Sequence, residues 1–197
     1  GDIRIGDLTR NGIIDFLVYR CLDNALKPCF MGAFNIEGNI LWETGSGGKQ
    51  PTRPGPVAIY DIDHDGETEV ICFWLDRNKP LSPTGMDDVK LQIRESKTGK
   101  IKLEAYPEEL INCQGEGPNW VHQRILIANL LGQELPGEFI IKLGKTVLAF
   151  NNQLEVIWTY QIPWNHYGHC SAYIPAVGDI NGDGRDEING GYYLLSS

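Results

Sequence analysis

The chain of 197 residues lacks most of the features that would announce a function outright. Its longest apolar runs, such as RILIANLL, fall well short of the roughly 20 residues that cross a bilayer, so no membrane partner is expected. No basic stripe stands out. Asp and Glu outnumber Lys and Arg by 26 to 17, and a net charge of −9 makes nucleic acid an unsuitable partner. There is no HExxH, no GxSxG elbow and no complete Walker A, because GSGGKQ lacks the first glycine and the hydroxyl after lysine. The five cysteines contain no CxxC pair, so neither a zinc cluster nor a disulfide framework is indicated. Cys72, within EVICFWL, reads as a core residue, whereas Cys21 and Cys29 flank LDNALKP and could bridge the base of a hairpin. A signal-peptide pattern is also missing, which leaves the compartment open. No stretch carries a convincing helical period, so the expected class is all-β.

What the chain does contain is a repeat. IRIGDLTRNGIIDFLVYR (3–20), VAIYDIDHDGETEVICFW (57–74), ILIANLLGQELPGEFIIK (125–142) and PAVGDINGDGRDEINGGYYLL (175–195) each read as strand, polar loop, strand. The loops open at Asp7, Asp61, Asn129 and Asp179. Behind the first three lies a second hairpin at 31–44, 91–105 and 147–160. Four short strands in every fifty or so residues predict a β-propeller of four-stranded blades, treated as a single domain over 1–197. An all-β sandwich would not repeat the same loop in the same place. The chain accounts for about three and a half blades, the last stopping after its second strand. Either the chain closes a small ring or, as the half-built fourth unit favours, the remaining blades of a larger ring come from further polypeptide or a second chain.

Two loops carry a ligand pattern. Asp179, Asn181, Asp183, the Arg185 carbonyl and Glu187 fall at alternate positions of DINGDGRDE. Asp61, Asp63, Asp65, the Glu67 carbonyl and Glu69 repeat them in DIDHDGETE. Hard oxygens at that spacing, with glycine at the sixth position, suit Ca2+. An EF-hand is excluded, because the twelfth position is Gly190 or Cys72 and the flanks are strands. The copy at Asp7, Thr9, Asn11 and Asp15 has lost carboxylates, and the copy at Asn129 has no carboxylate pattern. Such decay fits a structural ion that braces a turn. His64, inside the second loop, is expected to face away from the ion.

The segments leading into the first strands, at 49–56, 115–124 and 162–173, belong at the opposite ends of the strands, near the propeller axis. They hold His122, His166 and His169, with Arg53, Arg124, Trp120, Trp164, Asn119, Asn165 and Tyr167. Aromatic rings stack on sugars, arginine pairs with carboxylates and histidine exchanges protons near neutral pH. Together these groups suit an acidic polysaccharide or oligosaccharide. Arg124 or Arg53 would neutralise a uronate, His122 or His166 would act as base, and Tyr167 or His169 as acid. The competing expectation is that these histidines only cap loops and the tryptophans only pack blades.

The DxDGDGxxE-type loops, and GHCSAYIPAVGDINGDGRDEI behind a histidine-bearing turn, resemble the FG-GAP-like propellers of rhamnogalacturonan and ulvan lyases. The resemblance implies an extracellular or periplasmic, calcium-containing lyase that cleaves a rhamnose- and uronate-containing polysaccharide by β-elimination. In the ulvan-cleaving relatives a histidine and a tyrosine serve as base and acid. The positions that match are His122, His166 or His169, and Tyr167. Alternatives are a glycoside hydrolase of the same architecture acting on a rhamnose–glucuronate linkage, or a non-catalytic propeller that binds glycan or protein ligands.

Overall fold

The computed structural model describes residues 3–22, 26–51, 53, 55–82, 85–113, 124–163 and 174–196. Its strands form four antiparallel sheets, each a meander in chain order. The first unit holds β1 (Ile3–Gly6), β2 (Asp15–Cys21), β3 (Pro28–Phe34) and β4 (Ile40–Gly45). The second holds β5 (Val57–Tyr60), β6 (Glu69–Leu75), β7 (Val89–Glu95) and β8 (Ile101–Ala105). The third holds β9 (Leu126–Ala128), β10 (Glu138–Leu143), β11 (Thr146–Phe150) and β12 (Val156–Gln161). The fourth holds β13 (Ala176–Gly178), β14 (Glu187–Asn189) and β15 (Leu194–Leu195).

The repeat read from the sequence is thus a repeat of register. Gly6 faces Asp15, Tyr60 faces Glu69, Ala128 faces Glu138 and Gly178 faces Glu187 at the mouths of the four loops. One expectation needs correction. The fourth unit continues beyond its second strand into the short β15. A single turn of helix, α1 (Glu108–Ile111), follows Pro107 and is too short to show a period.

Burial explains the long apolar second strands. EVICFWL and EFIIKL lie between two sheets, so both faces of each strand are covered. Leu17, Tyr19 and Met31 of the first unit share a core with Val70 and Cys72 of the second. Ile71 and Phe73 then meet Phe139, Ile141 and Phe150 of the third, where the two phenylalanine rings stack at 5.2 Å. Ile140 meets Ile188 of the fourth. The sheets therefore pack face to face in chain order, and none closes on itself among the described residues.

The first strands form the inner rank. β1 lies beside β5, and β9 beside β13. A Cβ on Gly6 would stand 3.2 Å from the Ile59 side chain. At the outer rank each four-stranded sheet carries a bulge at the same place, where pairing skips Leu41, Lys102 and Ile157.

The suggested Cys21–Cys29 bridge does not form; both residues are buried thiols. Cys21 pairs with Pro28 and Arg20 with Phe30, so Cys29 is the extra residue of a bulge, skipped by the ladder of that hairpin. Cys72 is the expected core residue, and burial pushes its thiol up to about 12.

Candidate functional site

The four loops share one backbone. Their fourth residues, Arg10, His64, Gly132 and Gly182, all have positive φ, between 58° and 78°. The glycines at the sixth position, Gly12, Gly66 and Gly184, lie at φ 82° to 90°, where any other residue would be strained. The opening carboxylate folds back onto that glycine: Gly12 N–H donates to Asp7 Oδ2, Gly66 to Asp61 Oδ2 and Gly184 to Asp179 Oδ2. In the first loop burial works against ionisation of Asp7, but the backbone donors outweigh it and its pKa falls. In the fourth, the Gly184 N–H leads the donors that hold Asp179 below the usual carboxylate range.

A buried acid closes each loop. Asp15, Glu69, Glu138 and Glu187 accept the N–H of Leu8, Ile62, Leu130 and Ile180, at 2.8 to 3.1 Å. Each also takes a side-chain donor: the Thr9 hydroxyl, the Lys102 ammonium, the Gln133 amide and the Asn181 amide respectively. The third loop, which shows no carboxylate pattern in the sequence, keeps its closing acid in Glu138. One extra residue shifts it out of alignment with Glu69. An acid stands directly before the apolar second strand in all four copies, a signal that would have revealed it.

The second loop fits a cation. Asp61, Asp63 and Asp65 bring one oxygen each within 4.8 Å of one another. Asp61 Oδ1 is buried and has no hydrogen-bond partner among the described residues. The remaining oxygens of Asp63, Asp65 and Glu69 converge on Lys102 Nζ at 2.9, 3.1 and 2.8 Å. Burial by itself lowers the pKa of this lysine; its bonds to Glu69, Asp63 and Asp65 outweigh that effect and raise it. In the fourth loop Asn181 donates to both Asp183 and Glu187 at 3.0 Å. Glu67 and Arg185, expected to offer carbonyls, donate their N–H groups to Asp65 Oδ1 and Asp183 Oδ1.

The loops also tie one unit to the next. Ser96 Oγ donates to Leu8 O at 2.7 Å, and His64 Nε2 lies 2.9 Å from Pro136 O. Asn129 N–H donates to Asp186 Oδ2 at 2.7 Å, while Asp186 N–H returns a bond to Asn129 O. His64 therefore has a bracing contact that its loop position did not suggest.

At the other ends of the inner strands lies a groove of about 460 Å³, lined by residues 3–5, 57–58 and 124–126. Its wall is apolar except for Arg4 and Arg124. Arg4 is committed to the fold, with Nη2 on Gly55 O at 2.9 Å and Nε on Val57 O at 2.5 Å. Gly55 N–H in turn donates to the Tyr19 hydroxyl at 2.9 Å, fastening the segment that leads into β5. Arg53 is exposed and is not part of the groove lining.

No family profile matches the chain, and no curated protein matches its sequence. Solved structures do match. A Bacillus licheniformis rhamnogalacturonan lyase superposes with a TM-score of 0.74 at 19% identity, over 100% of this chain and 40% of that one. The exotype rhamnogalacturonan lyase YesX gives 0.70 at 17% identity, over 100% and 39%. The V. cholerae biofilm matrix protein gives 0.57 at 17% identity, over 98% and 28%. The fold is shared with part of the rhamnogalacturonan lyases. The chain spans about two fifths of their length.

Of the residues expected to act on a ligand, the groove brings Arg124 together with the inner strands. His122, His166, His169, Tyr167, Asn119, Trp120, Trp164 and Asn165 lie outside the described residues. The candidate ion ligands are all described, and among the described residues only loop 61–69 brings three acidic oxygens, those of Asp61, Asp63 and Asp65, within 4.8 Å of one another. The sequence reading missed Lys102, Glu138 and Asp186. Among the described residues no helix is long and apolar enough to cross a membrane.

Proposed function

We propose that the units are blades of a larger propeller, treated as one domain over 1–197, and that this propeller is a carbohydrate-active enzyme. The reading is a lyase that cleaves a rhamnose- and uronate-containing polysaccharide by β-elimination. The observation that carries it is the match of the whole chain, at TM-scores of 0.70 and 0.74, to two proteins described as rhamnogalacturonan lyases. The groove at the inner strands, with Arg4 and Arg124 in its otherwise apolar wall, supports it as a place where an acidic chain would lie.

In this reading Arg124 or, from outside the groove, Arg53 pairs with the uronate carboxylate, so that negative charge developing on the adjacent carbon spreads into a neutralised group. His122 or His166 removes the proton from that carbon. The C–O bond to the leaving sugar breaks, a C=C bond forms, and Tyr167 or His169 protonates the departing oxygen. Trp120 and Trp164 stack on sugar rings, and Asn119 and Asn165 bond to hydroxyls. Loops 61–69 and 179–187 would hold structural Ca2+, which offsets carboxylate repulsion where the first strand turns into the second. Such an enzyme would work outside the cytoplasm, extracellular or periplasmic.

A second reading, a propeller that binds glycan without cleaving it, draws support from the biofilm matrix protein that shares the fold. Incubation with rhamnogalacturonan and other uronate polymers separates the two. A lyase releases unsaturated ends that absorb in the ultraviolet, and Arg124→Ala lowers the rate at least tenfold while the circular dichroism stays unchanged. Retention on the polymer with no unsaturated product establishes the second reading and removes the first.

A further inference from the structure

Among the described residues, only the second of the four loops has its closing acid bonded to a cation from outside its own hairpin. Lys102 lies on β8, at the outer edge of the sheet and 33 residues from Glu69. It is the residue that the pairing of β7 with β8 skips, so the bulge frees its side chain from the ladder and turns it towards the loop. The equivalent bulge residues are Leu41 in the first unit and Ile157 in the third, whose loops carry fewer acids. A cation therefore stands at the bulge beside the loop with four carboxylates, Asp61, Asp63, Asp65 and Glu69.

The oxygens themselves fall into two sets. Asp61 Oδ2, Asp63 Oδ1, Asp65 Oδ1 and Glu69 Oε2 accept backbone N–H groups and shape the loop. The opposite oxygens are left for a cation: Asp63 Oδ2, Asp65 Oδ2 and Glu69 Oε1 hold Lys102, while Asp61 Oδ1 is buried and unpartnered. A divalent ion drawn to these outward oxygens would compete with Nζ for the three that it holds.

We propose that Lys102 is a tethered counter-ion that keeps loop 61–69 closed without metal and has to withdraw before a divalent cation binds there. The inference rests on the proposed reading of these loops as calcium sites. It divides them into two kinds. Loop 179–187 has a neutral amide, Asn181, between its outer acids, and an amide can turn to offer its oxygen instead. Loop 61–69 has an ammonium, which cannot become a ligand and is expelled. Removing Lys102 thus strengthens calcium binding at the second loop, while the calcium-free loop loses the charge that offsets its acids.

The test uses the full chain carrying Asp179→Asn and Asp183→Asn, which silences the fourth loop. Calcium is titrated by calorimetry, and terbium by its luminescence. Lys102→Met is expected to tighten calcium binding at least tenfold, to lower the calcium-free melting temperature, and to regain it when calcium is added. Lys102→Arg, which keeps the charge, is expected to bind calcium no more tightly than the parent. If Lys102→Met does not fold without metal, calcium is expected to fold it; failure to do so overturns the proposal. Equal calcium affinity with and without Lys102 overturns the tethered-ion role while leaving the calcium reading intact. Absence of calcium binding in Lys102→Met overturns both.

Discussion

Lys142 offers the sharpest test of how the units pack. It lies on β10, is only 2% exposed, and its Nζ has no hydrogen-bond partner among the described residues. Register places it in the third unit where Tyr19 and Phe73 stand in the first and second, counting from Asp15, Glu69 and Glu138. Those two side chains are ring systems in the inter-sheet core, so the position accepts an apolar residue. Burial pulls the lysine down from 10.5 to about 8. A folded-state value below the unfolded one means that the unfolded chain binds the extra proton between these limits. Stability contributed by this residue therefore rises with pH across the window from about 8 to 10.5. The difference corresponds to about 3 kcal/mol, since each pKa unit is worth about 1.4 kcal/mol. Lys142→Met removes the penalty at neutral pH. Urea unfolding of both proteins from about pH 7 to pH 10.5 is expected to show the variant ahead at the lower end, with its advantage shrinking by about 3 kcal/mol towards the upper. Other groups titrate in both proteins and cancel in the difference. An advantage that stays constant with pH would refute the reasoning, because the ammonium would then not be desolvated in the fold.

The remaining predictions concern ties between and within units. Lys27 bonds both oxygens of the fully buried Asp88, at 2.7 and 2.6 Å, joining the first unit to the second. Lys27→Met is expected to cost about 3–5 kcal/mol by leaving that carboxylate without its cation, and Lys27→Met with Asp88→Leu to recover most of it in urea unfolding. Glu138 accepts the Leu130 and Leu131 N–H groups from a buried position, so Glu138→Ala is expected to cost about 1–3 kcal/mol for each donor stranded. The loss is measured by the shift of the unfolding midpoint. Gly99 has φ 71° and would place a Cβ 2.6 Å from the Trp42 ring. Gly99→Ala should therefore lower the melting temperature and alter Trp42 fluorescence, whereas Gly38→Ala, with φ 85° and open space around it, costs only its backbone strain.

The legible part of the molecule was local. Strand, loop and strand were visible because their apolar runs, acids and glycines are neighbours in sequence, and a first strand pairs with an acid-led second strand at all four loop mouths. Cys29 escaped because a one-residue bulge cannot be seen in a hairpin's spacing. Lys102 escaped for the same reason: KIKLEA reads as an ordinary outer strand until the ladder skips one residue. Glu138 was hidden by a one-residue insertion, and Asp186 by lying next to Glu187, which the ligand pattern had already claimed. Neither α1 nor β15 is long enough to leave a period.

By itself, then, the amino-acid order determined the all-β class, the repeating four-strand unit and the two acid-rich loops. Each of these follows from alternation, turn chemistry and ligand spacing within a dozen residues. Only the tertiary structure decided what faces what. It set Lys102 against three carboxylates, left Lys142 Nζ without a hydrogen-bond partner among the described residues, and put Arg124 in a groove with the distant strands β1 and β5. The physical reason is that the sign and environment of a buried charge depend on which sheets stack and where their ladders slip, and both are properties of chains brought together over long separations.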